Sequence, residues 1–453
     1  MKTQNFSSLN LSKPMLENLD SMGYKQMTAI QEKALPYILD SKDLIAKAKT
    51  GSGKTAAFGI GLLSKLDVKK FRVQSLVLCP TRELADQVAR ELRQIAKFAH
   101  NIKILTLCGG VAFGPQLGSL RHQAHIIVGT PGRVLKHLNK KTLNLENLNM
   151  LVLDEADRML DMGFIEEIQN VIEFAPKQRQ NLLFSATYPD EIVDLSKTIL
   201  NDPIEVAVES IDLPNEISEY FYETNESDKV QTLINVFASN QPKDVIVFCN
   251  TKIECDDLAD ELAKNEIDAL ALHGDLEQYE RNDVLVQFSN KSLRVLVATD
   301  VAARGLDIKD LDMVVNYNIP HSLETYTHRI GRTGRAGAKG ISATLYVDRE
   351  FDKVEEYKDE KRIFLSAQTL DQDKAFKMKP EFVSMVIEGG KKDKLRKGDI
   401  LGSLTGELGL SGQSIGKIDI YDRQAYVAIK QDTVKKITNK ITIKKKRFSS
   451  WIL

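Results

Sequence analysis

Two series of short apolar segments, separated by longer stretches with helical spacing, constrain the fold of this chain more than any other feature. The first series is 44–46, 76–79, 126–128, 151–153 and 182–184, and the second is 245–249, 269–272, 295–298 and 314–315. Fully apolar strands that alternate with helices are typical of a parallel sheet covered on both faces. The pattern predicts an α/β chain with two such sheets in tandem, joined by a linker at 212–215.

Polar or turn residues directly follow almost all of these apolar segments. They occupy positions 80–82, 129–131, 154–155 and 185 in the first series, and 250, 273–274 and 299–300 in the second. In open parallel sheets, ligands bind beyond the carboxyl ends of the strands. Two sheets with such edges predict a site built between two domains.

A glycine-rich loop follows the first apolar segment and precedes a helical stretch. It reads Ala48, Lys49, Thr50, Gly51, Ser52, Gly53, Lys54 and Thr55. This is the G-x-x-x-x-G-K-[ST] pattern with Ala48 in place of the first glycine. Its glycines let N–H groups turn toward phosphates, Lys54 supplies charge to the β- and γ-phosphates, and Thr55 offers an oxygen to Mg²⁺. The alternative is a glycine-rich turn with a chance Gly-Lys-Thr, which the strand–loop–helix context disfavours.

An acidic pair, Asp154-Glu155, ends another segment of the first series. Asp154 is assigned to the magnesium ion, directly or through water, and Glu155 to orienting and deprotonating the attacking water. An acidic pair after a strand is common by itself. Together with the glycine-rich loop, it predicts a site that hydrolyses a nucleoside triphosphate.

The second series has no Gly-Lys-Thr loop and instead carries the run His328–Arg335, in which arginines alternate with glycines. Such arginines suit charge-assisted contacts with phosphate, and an arginine delivered across a domain interface stabilises phosphoryl transfer. The alternative is a solvated basic loop.

In their order along the chain, these segments resemble the DEAD-box RNA helicases of superfamily 2, from Phe6 to Val347. The matching segments are Gly23-Tyr24 with Gln31, the glycine-rich loop, 80–85, Gly109-Gly110, 130–133, Asp154-Glu155-Ala156-Asp157, Ser185-Ala186-Thr187, Gln278 with Arg281, 298–307 and 328–335. The resemblance implies two RecA-like domains that close around ATP and Mg²⁺ when RNA lies across them.

The resemblance also implies individual roles at the ATP site. Gln31 would read the adenine edge together with Thr28, Phe6 would stack on the ring, and Gly305 with Asp307 would lie at the ribose. The catalytic set it implies is Lys54, Asp154, Glu155, Ser185, Thr187, His328, Arg332 and Arg335. Within that set, Ser185 and Thr187 would link the Asp154 loop to His328. Ala29 stands where the family usually has proline, which alters the turn but removes no hydrogen-bonding group.

RNA backbone contacts are implied for a third set of residues. They are Thr81, Arg82, Gly110, Thr130, Arg133, Gly274, Arg281, Thr299 and Asp300. Such contacts position a strand and carry little sequence information. The family opens duplexes locally, and contacts to 2′-hydroxyls favour RNA. An ATP-gated RNA clamp and a DNA helicase are the competing interpretations.

The last part of the chain differs in charge from the rest. Residues 378–453 contain 16 Lys and Arg against 8 Asp and Glu, whereas the whole chain has a net charge of −1. A basic segment on an acidic body indicates a polyanionic partner or, alternatively, a solvated lysine-rich surface.

This terminal segment reads as a small α+β unit in β-α-β-β-α-β order, the topology of the RNA recognition motif. The expected elements are strands at 382–387, 415–421, 425–429 and 441–445, with helices after Gly398 and at 434–439. Tyr426 is present, but the other aromatic positions of the third strand hold Gln424 and Ile429. Recognition of RNA backbone and shape is therefore expected from the basic residues Lys391, Lys392, Lys394, Arg396, Lys397, Lys444 and Arg447.

Two pieces of this segment, 388–394 and 415–419, are similar to the tail of the DbpA-type bacterial helicases. The resemblance implies binding to a structured element of 23S ribosomal RNA during assembly of the large subunit. A generic RNA-binding or protein-docking domain is the alternative. The domains expected are 1–208, 209–365 and 378–453.

Composition adds the setting. No apolar run reaches the roughly 18 residues of a membrane span, and the start of the chain lacks a secretory pattern. The cysteines, Cys79, Cys108, Cys249 and Cys255, form no C-x-x-C pair, so reduced thiols are expected. These observations predict a cytoplasmic protein, expected to be monomeric.

Overall fold

The structure is a computed structural model that describes residues 4–48, 51–208, 217–303, 311–334, 339–373 and 375–453. Residues 4–208 form one compact unit, and the described residues from Ile217 onward form a second. The expected linker at 212–215 lies outside the described residues. We call 4–208 the first domain, 217–366 the second domain and 378–453 the tail domain.

The first domain contains a parallel sheet flanked by helices. Its strands are β1 (Leu44–Lys47), β2 (Ser75–Leu78), β3 (Ile104–Leu107), β4 (Ile126–Gly129), β5 (Met150–Asp154), β6 (Gln180–Ser185) and β7 (Ile204–Ala207). Its helices are α1 (Lys13–Ser21), α2 (Ala29–Leu39), α3 (Lys54–Ser64), α4 (Arg82–Ile95), α5 (Phe113–Leu120), α6 (Pro131–Asn139), α7 (Ala156–Asp161), α8 (Ile165–Glu173) and α9 (Asp190–Ile199). The strand order is β3-β4-β2-β5-β6-β1-β7.

The second domain is built in the same way. Its strands are β8 (Ile217–Glu223), β9 (Val245–Cys249), β10 (Ala269–Leu272), β11 (Val295–Thr299), β12 (Met313–Asn316), β13 (Gly340–Tyr346) and β14 (Arg362–Ser366). Its helices are α10 (Lys229–Asn240), α11 (Lys252–Lys264), α12 (Gln278–Ser289), α13 (Asp300–Ala303), α14 (Leu323–Ile330) and α15 (Phe351–Glu355). The order β10-β11-β9-β12-β13-β8-β14 repeats that of the first sheet, strand for strand.

The predicted pair of tandem parallel sheets is confirmed. Every paired strand in both sheets runs parallel, and the central strands are buried along their whole length. Helices such as α4 cover the faces because they carry one apolar side. In α4, Leu84, Val88, Leu92 and Ile95 recur at helical spacing and are buried, while Thr81 caps the first turn by accepting from Leu84 N–H (3.2 Å).

The tail domain is a small antiparallel sheet with one α-helix against it. Its elements are β15 (Phe382–Ile387), α16 (Lys397–Gly406), β16 (Ile415–Ile420), β17 (Ala425–Lys430), β18 (Lys440–Ile443) and β19 (Lys446–Ile452), in the order β16-β17-β15-β19-β18. Its core holds Met385, Ile400, Leu404, Val427 and Ile441. The expected small α+β domain is therefore present.

Two details of the tail prediction were wrong. The helix expected at 434–439 is a 3₁₀ helix at Gln431–Lys436, and the single strand expected at 441–445 is a hairpin of β18 and β19. Lys444 and Lys445 form its turn, both with positive φ (52° and 66°). The strand beside β15 is consequently β19, since the chain reverses at these lysines before it reaches the centre of the sheet.

The tail sheet packs against α12 of the second domain. Val386 and Tyr426, on neighbouring central strands, form a buried cluster with Val286 of α12. The Tyr426 hydroxyl donates to Asp283 Oδ1 (2.7 Å), and Ser384 Oγ accepts from Asn290 Nδ2 (2.7 Å). The part of the tail-sheet face around Tyr426 is thus covered by protein, whereas Trp451, which lies opposite Val386 on β19, is 40% exposed.

Candidate nucleotide site and RNA interface

The glycine-rich loop meets the residues predicted to read adenine through Gln31. This buried side chain accepts a hydrogen bond from the N–H of Thr28 (2.9 Å) and donates from Nε2 to the carbonyl of Gly53 (3.1 Å). Gly53 has a φ of 95°, and a Cβ built on it would lie 2.6 Å from Gln31 Nε2. Glycine is therefore required by both backbone conformation and space.

Among the described residues, the glycine-rich loop, the start of α3 and the end of β5 each hold a buried polar atom without a hydrogen-bond partner: Ser52 Oγ, Lys54 Nζ and Asp154 Oδ1. Lys54 begins α3 directly after the loop, and Asp154 ends β5. Unsatisfied buried polar groups are rare in folded proteins. An ammonium, a hydroxyl and a carboxylate of this kind fit a polyphosphate bound together with Mg²⁺.

The pKa of the Asp154 carboxyl is raised to about 7, mainly by burial and also by Glu155, although the nearby Lys54 ammonium acts to lower it. A bound cation favours the ionised carboxylate, so this group is poised to respond to one. Glu155 follows with a left-handed backbone (φ 55°) at the start of α7 and is buried. Strained non-glycine residues of this kind cluster at functional sites.

Other predicted members of the ATP site are near this edge. The N–H of Ala48 donates to the carbonyl of Ser185 (3.0 Å), and Thr55 lies partly exposed in the first turn of α3. Phe6 is buried and meets Tyr24 edge-on, with ring centroids 6.2 Å apart. Its stacking on adenine stays a prediction.

Ser185 and Thr187 contact the acidic tetrad through Asp157. Oδ2 of Asp157 accepts from the N–H groups of Ala186 (3.2 Å) and Thr187 (3.1 Å) and from the Thr187 hydroxyl (3.2 Å). Ser185 Oγ in turn accepts from the N–H of Asp157 (3.2 Å). Sequence reasoning gave Asp157 no role of its own, although its place in the tetrad was a usable signal. It is the residue that ties the end of β6 to the loop after β5.

The second domain has a buried arginine that sequence reasoning also overlooked. Arg329 donates from Nε and Nη2 to both carboxylate oxygens of Asp300, each at 2.7 Å, and from Nη1 to Asn316 Oδ1 (3.1 Å). It is 1% exposed. The Asp300 side chain is therefore held within the domain, and its predicted RNA contact stays a prediction.

Near Arg329, His328 lies in α14 with Nδ1 4.0 Å from Glu324 Oε1, and Arg332 is partly exposed. Five residues predicted for the ATP site lie outside the described residues. They are Lys49, Thr50, Gly305, Asp307 and Arg335.

The residues predicted to contact RNA in the first domain follow β2, β3 and β4. Arg82 has a buried Nη1 without a hydrogen-bond partner, and Gly110 has a φ of 71°. Thr130 Oγ1 accepts from the N–H of Gly109 (3.4 Å), and Arg133 follows on the first turn of α6. Thr81 is the buried N-cap residue of α4. The sheet thus brings these residues to one edge.

In the second domain the corresponding residues follow β10 and β11. Arg281, on the first turn of α12, donates from Nη1 to the carbonyl of His273 (3.1 Å), next to the exposed Gly274. Thr299 ends β11 and is buried. A neighbouring aromatic, Tyr279, is 65% exposed on α12.

In the tail domain, two basic segments that are far apart in sequence come together. Lys444, in the β18–β19 turn, forms an ion pair with Asp399 of α16 (2.7 Å) and donates to the carbonyl of Lys394 (3.2 Å). The other predicted residues of this surface are exposed: Lys391, Lys392, Arg396, Lys397 and Arg447. We call residues 391–397 with 444–447 the basic surface of the tail.

These two sheets and their edges define a class of tandem-domain enzyme driven by a nucleoside triphosphate. The chain matches the DEAD/DEAH box helicase family at residues 28–195, the helicase conserved C-terminal domain at 228–337 and the DbpA RNA binding domain at 384–450. It belongs to the DEAD-box family of ATP-dependent RNA helicases and carries a DbpA-type RNA-binding domain.

Known proteins agree with this assignment. The chain is 51% identical to the ATP-dependent RNA helicase DbpA of Escherichia coli (strain K12), over 94% of each chain, and 37% identical to the DbpA of Bacillus subtilis (strain 168), over 98% of each. Among solved structures, Saccharomyces cerevisiae Dbp5 bound to RNA and ADP BeF3 has a TM-score of 0.72 at 31% identity, covering 80% of this chain and 96% of that one. ATP dependence and RNA binding are therefore properties of the family to which the chain belongs.

A search of the described helices for a membrane span finds none that combines the length and the apolar character required.

Proposed function

We propose that this helicase uses ATP hydrolysis to remodel 23S ribosomal RNA locally during assembly of the large ribosomal subunit. The observation that carries the proposal is that the candidate nucleotide site and the basic surface lie on different domains. The first domain holds Lys54 Nζ and Asp154 Oδ1, which are buried and have no hydrogen-bond partner, whereas the tail domain presents a separate basic surface. The similarity to two helicases named DbpA supports the ribosomal target.

The first domain supplies the chemistry of hydrolysis in this proposal. Lys54 binds the β- and γ-phosphates, and the N–H groups around Gly51 and Gly53 face them as well. Asp154, through water, and Thr55 would hold Mg²⁺, which would supply positive charge to the phosphates. Glu155 then orients and deprotonates the attacking water.

The second domain completes the site when ATP and RNA are bound. Arg332 and Arg335 contribute positive charge at the transferred phosphoryl group, where an arginine stabilises the transition state. To His328 we assign the link to Ser185 and Thr187 that the family resemblance implies. The roles of Arg332, Arg335 and His328 are part of the proposal. So are the limits of the three domains, 1–208, 209–365 and 378–453.

RNA lies along the predicted edge residues of both sheets. Arg82, with a buried and unpartnered Nη1, and Arg133 contribute charge in the first domain, as Arg281 does in the second. These contacts go to the backbone, so they hold RNA of any sequence. Selection of the target must therefore come from elsewhere.

The basic surface of the tail is the proposed source of selection. The sheet face around Val386 and Tyr426 is covered by α12, and the hydroxyl of Tyr426 donates a hydrogen bond to Asp283. The exposed charge instead lies around Lys391–Lys397 and Lys444–Arg447. Backbone and shape recognition of a folded RNA element suits a surface with this charge.

The setting follows from the same proposal. All four cysteines are free and buried, as expected of a protein in a reducing compartment, and we place the helicase in the cytoplasm, acting as a monomer on immature large subunits.

ATP turnover by the purified chain, measured with fragments that tile 23S ribosomal RNA and with unstructured RNA, tests this proposal. We expect one structured fragment to stimulate at a far lower concentration than the others. Glu155→Gln should bind that fragment but lose turnover, and cells carrying it should accumulate immature subunits. Equal stimulation by all fragments would indicate a general remodelling helicase, and full cellular function of Glu155→Gln would indicate an ATP-gated clamp.

A further inference from the structure

Arg133, one of the proposed RNA contacts, is not free to rotate. Its Nη1 donates to Gln116 Oε1 (2.8 Å), and its Nη2 donates to the carbonyl of Val111 (2.9 Å). Val111 directly follows Gly109 and Gly110. One guanidinium therefore joins the start of α6 to the loop after β3. A guanidinium has five N–H donors, so donors remain for a phosphate.

Gln116 is the centre of this arrangement. It is buried in α5, and its Nε2 donates to the carbonyl of Cys108 (3.0 Å), just beyond the end of β3. Its Oε1 accepts from Arg133 and also lies 3.1 Å from Nε2 of His137. Because its amide nitrogen is committed to Cys108, the oxygen must face both partners.

His137 is the second hydrogen-bond partner of the Gln116 amide oxygen. It is fully buried on α6, and its ring stacks on Phe113 with centroids 4.1 Å apart and an angle of 15° between planes. Nδ1 lies 2.9 Å from the Thr142 hydroxyl. Since Gln116 presents an oxygen, Nε2 carries the proton, which leaves Nδ1 of the neutral ring as an acceptor beside the Thr142 hydroxyl; that hydroxyl also lies 3.0 Å from the carbonyl of His137.

Positive charge surrounds this histidine. Burial and, after it, the neighbouring cations Arg133, Lys136 and Lys140 together lower the pKa of His137 to about 4. The ammonium groups of Lys140 and Lys136 lie 5.0 and 5.9 Å from the centre of the Phe113 ring. A neutral imidazole can donate to Gln116 here without adding a further charge beside Arg133.

We infer that Gln116 and His137 are positioning residues for RNA: through one shared amide they hold Arg133 and the Gly109–Val111 loop in the shape that receives a phosphate of the strand. The inference rests on the proposed RNA edge of the first domain. Neither residue needs to touch RNA, because each acts through Arg133 or through the loop. The energetic logic is preorganisation, in which ordering is completed before the ligand binds.

The test is the concentration of single-stranded poly(U) that half-saturates ATP turnover of the full chain, since unstructured RNA reports on the helicase domains. We expect Gln116→Leu to raise this concentration about tenfold, the loss expected for charge-assisted hydrogen bonds. The maximal rate at saturating RNA should fall much less. His137→Leu should act in the same direction, and His137→Gln, which restores an N–H near the position of Nε2, should return the value toward wild type.

Gln180→Leu is the matched control. Gln180 is also a buried glutamine of the first domain, and its Nε2 donates to the carbonyls of Ile38 (3.1 Å) and Lys42 (2.6 Å) at the opposite end of the sheet. We expect this variant to lower the unfolding temperature without changing the half-saturating RNA concentration. An equal shift in Gln180→Leu, or no rescue by His137→Gln, would overturn the inference, because the effect would then be one of general stability.

Arg133→Ala separates the inference from the proposed function. A raised half-saturating concentration in Arg133→Ala, with none in Gln116→Leu and His137→Leu, would refute the positioning role alone. Wild-type behaviour of Arg133→Ala would refute the proposed RNA edge and the inference with it. Should Gln116→Leu fail to fold, the paired His137 variants decide the matter by the same measurement.

Discussion

The two parallel-sheet domains have the same strand order, yet they differ in the segment that links the first strand of each domain to its next helix. After β1 comes a glycine-rich loop, and Lys54 begins α3 with no hydrogen-bond partner for its ammonium. After β8 comes a 3₁₀ turn, Glu226–Asp228, and Lys229 begins α10 with its ammonium 4.7 Å from the centre of the Tyr317 ring. Both lysines are buried, but the first lies close enough to the Asp154 carboxyl to lower its pKa, whereas the second lies over an aromatic ring.

The strand that is fifth in chain order in each domain shows a similar difference in whether a buried polar group has a hydrogen-bond partner. β5 ends in Asp154, whose Oδ1 is buried and unpartnered, whereas β12 ends in Asn316. The Asn316 amide is satisfied on both sides, since it donates to Thr344 Oγ1 (3.0 Å) and accepts from Arg329 (3.1 Å). A repeated topology therefore provides two similar edges. In our proposal, the side chains at the strand ends decide which edge binds a nucleotide.

The largest expected effect separates the two buried lysines. Lys54→Ala should reduce ATP turnover below detection, because the charge that stabilises the phosphates is lost. RNA binding by the tail should persist. Lys229→Ala should keep wild-type turnover at temperatures where the domain stays folded. Steady-state ATPase assays and RNA titrations check both, and comparable loss of turnover in the two variants would contradict the assignment of nucleotide chemistry to the first domain.

Replacing Arg329 tests the edge of the second domain, where the side chains of Asp300 and Asn316 have hydrogen-bond partners. Arg329→Leu leaves the Asp300 carboxylate without its bidentate partner, so we expect a loss of about 3–5 kcal/mol in the free energy of unfolding of this domain. Arg349→Leu is the control, because its ion pair with Glu226 is exposed and should contribute at most about 1 kcal/mol. Urea unfolding measures both, and similar small losses would show that Arg329 is not structural.

The third prediction concerns the pH dependence of stability that arises from His137, a buried histidine of the first domain. The pKa of His137 is lowered to about 4, below its ordinary value of 6.5, so the unfolded chain binds a proton that the folded chain excludes. The contribution of neutral His137 to the free energy of unfolding is complete above pH 6.5 and is lost as the pH falls toward 4. His137→Gln should remove this part of the acid sensitivity. Thermal unfolding of both proteins between pH 7 and 5 checks it, and parallel curves would contradict it.

The smallest effect concerns the cover on the tail sheet. Tyr426→Phe removes the hydroxyl that donates to Asp283 but keeps the ring against Val286. We expect a loss of about 1 kcal/mol in the packing of the tail on the second domain, visible as faster hydrogen exchange in α12. Tyr279→Phe on α12 is the control, because its ring is 65% exposed and its hydroxyl donates to Glu280 of the same helix. Equal exchange in the two variants would argue against a contribution from the Asp283 contact.

Much of the architecture could be predicted from local sequence. The apolar runs became central strands because a parallel strand buried on both faces must be apolar along its length. Gly53 and Lys54 could be identified as candidate phosphate-binding residues because the phosphate-binding pattern is defined by their spacing in the sequence. The buried and unpartnered state of Lys54 and Asp154 fits the predicted roles, which themselves remain proposals.

Contacts between distant segments could not be predicted. Gln116 and His137 lie 21 residues apart and look like ordinary helix residues until β3 and β4 place them side by side. Arg329 stood in the noticed arginine run, yet its partner Asp300 lies 29 residues away. The tail hairpin was missed because Lys444 and Lys445 adopt positive φ without the glycine or asparagine that usually announces such a turn.

The most direct test of the account is the separation of a short RNA duplex joined to the stimulating 23S fragment. Wild-type protein with ATP should separate the strands, whereas wild-type protein without nucleotide and Lys54→Ala with ATP should bind the same RNA and leave the duplex intact. Separation by Lys54→Ala at the wild-type rate would contradict the claim that the nucleotide site of the first domain drives the remodelling of RNA.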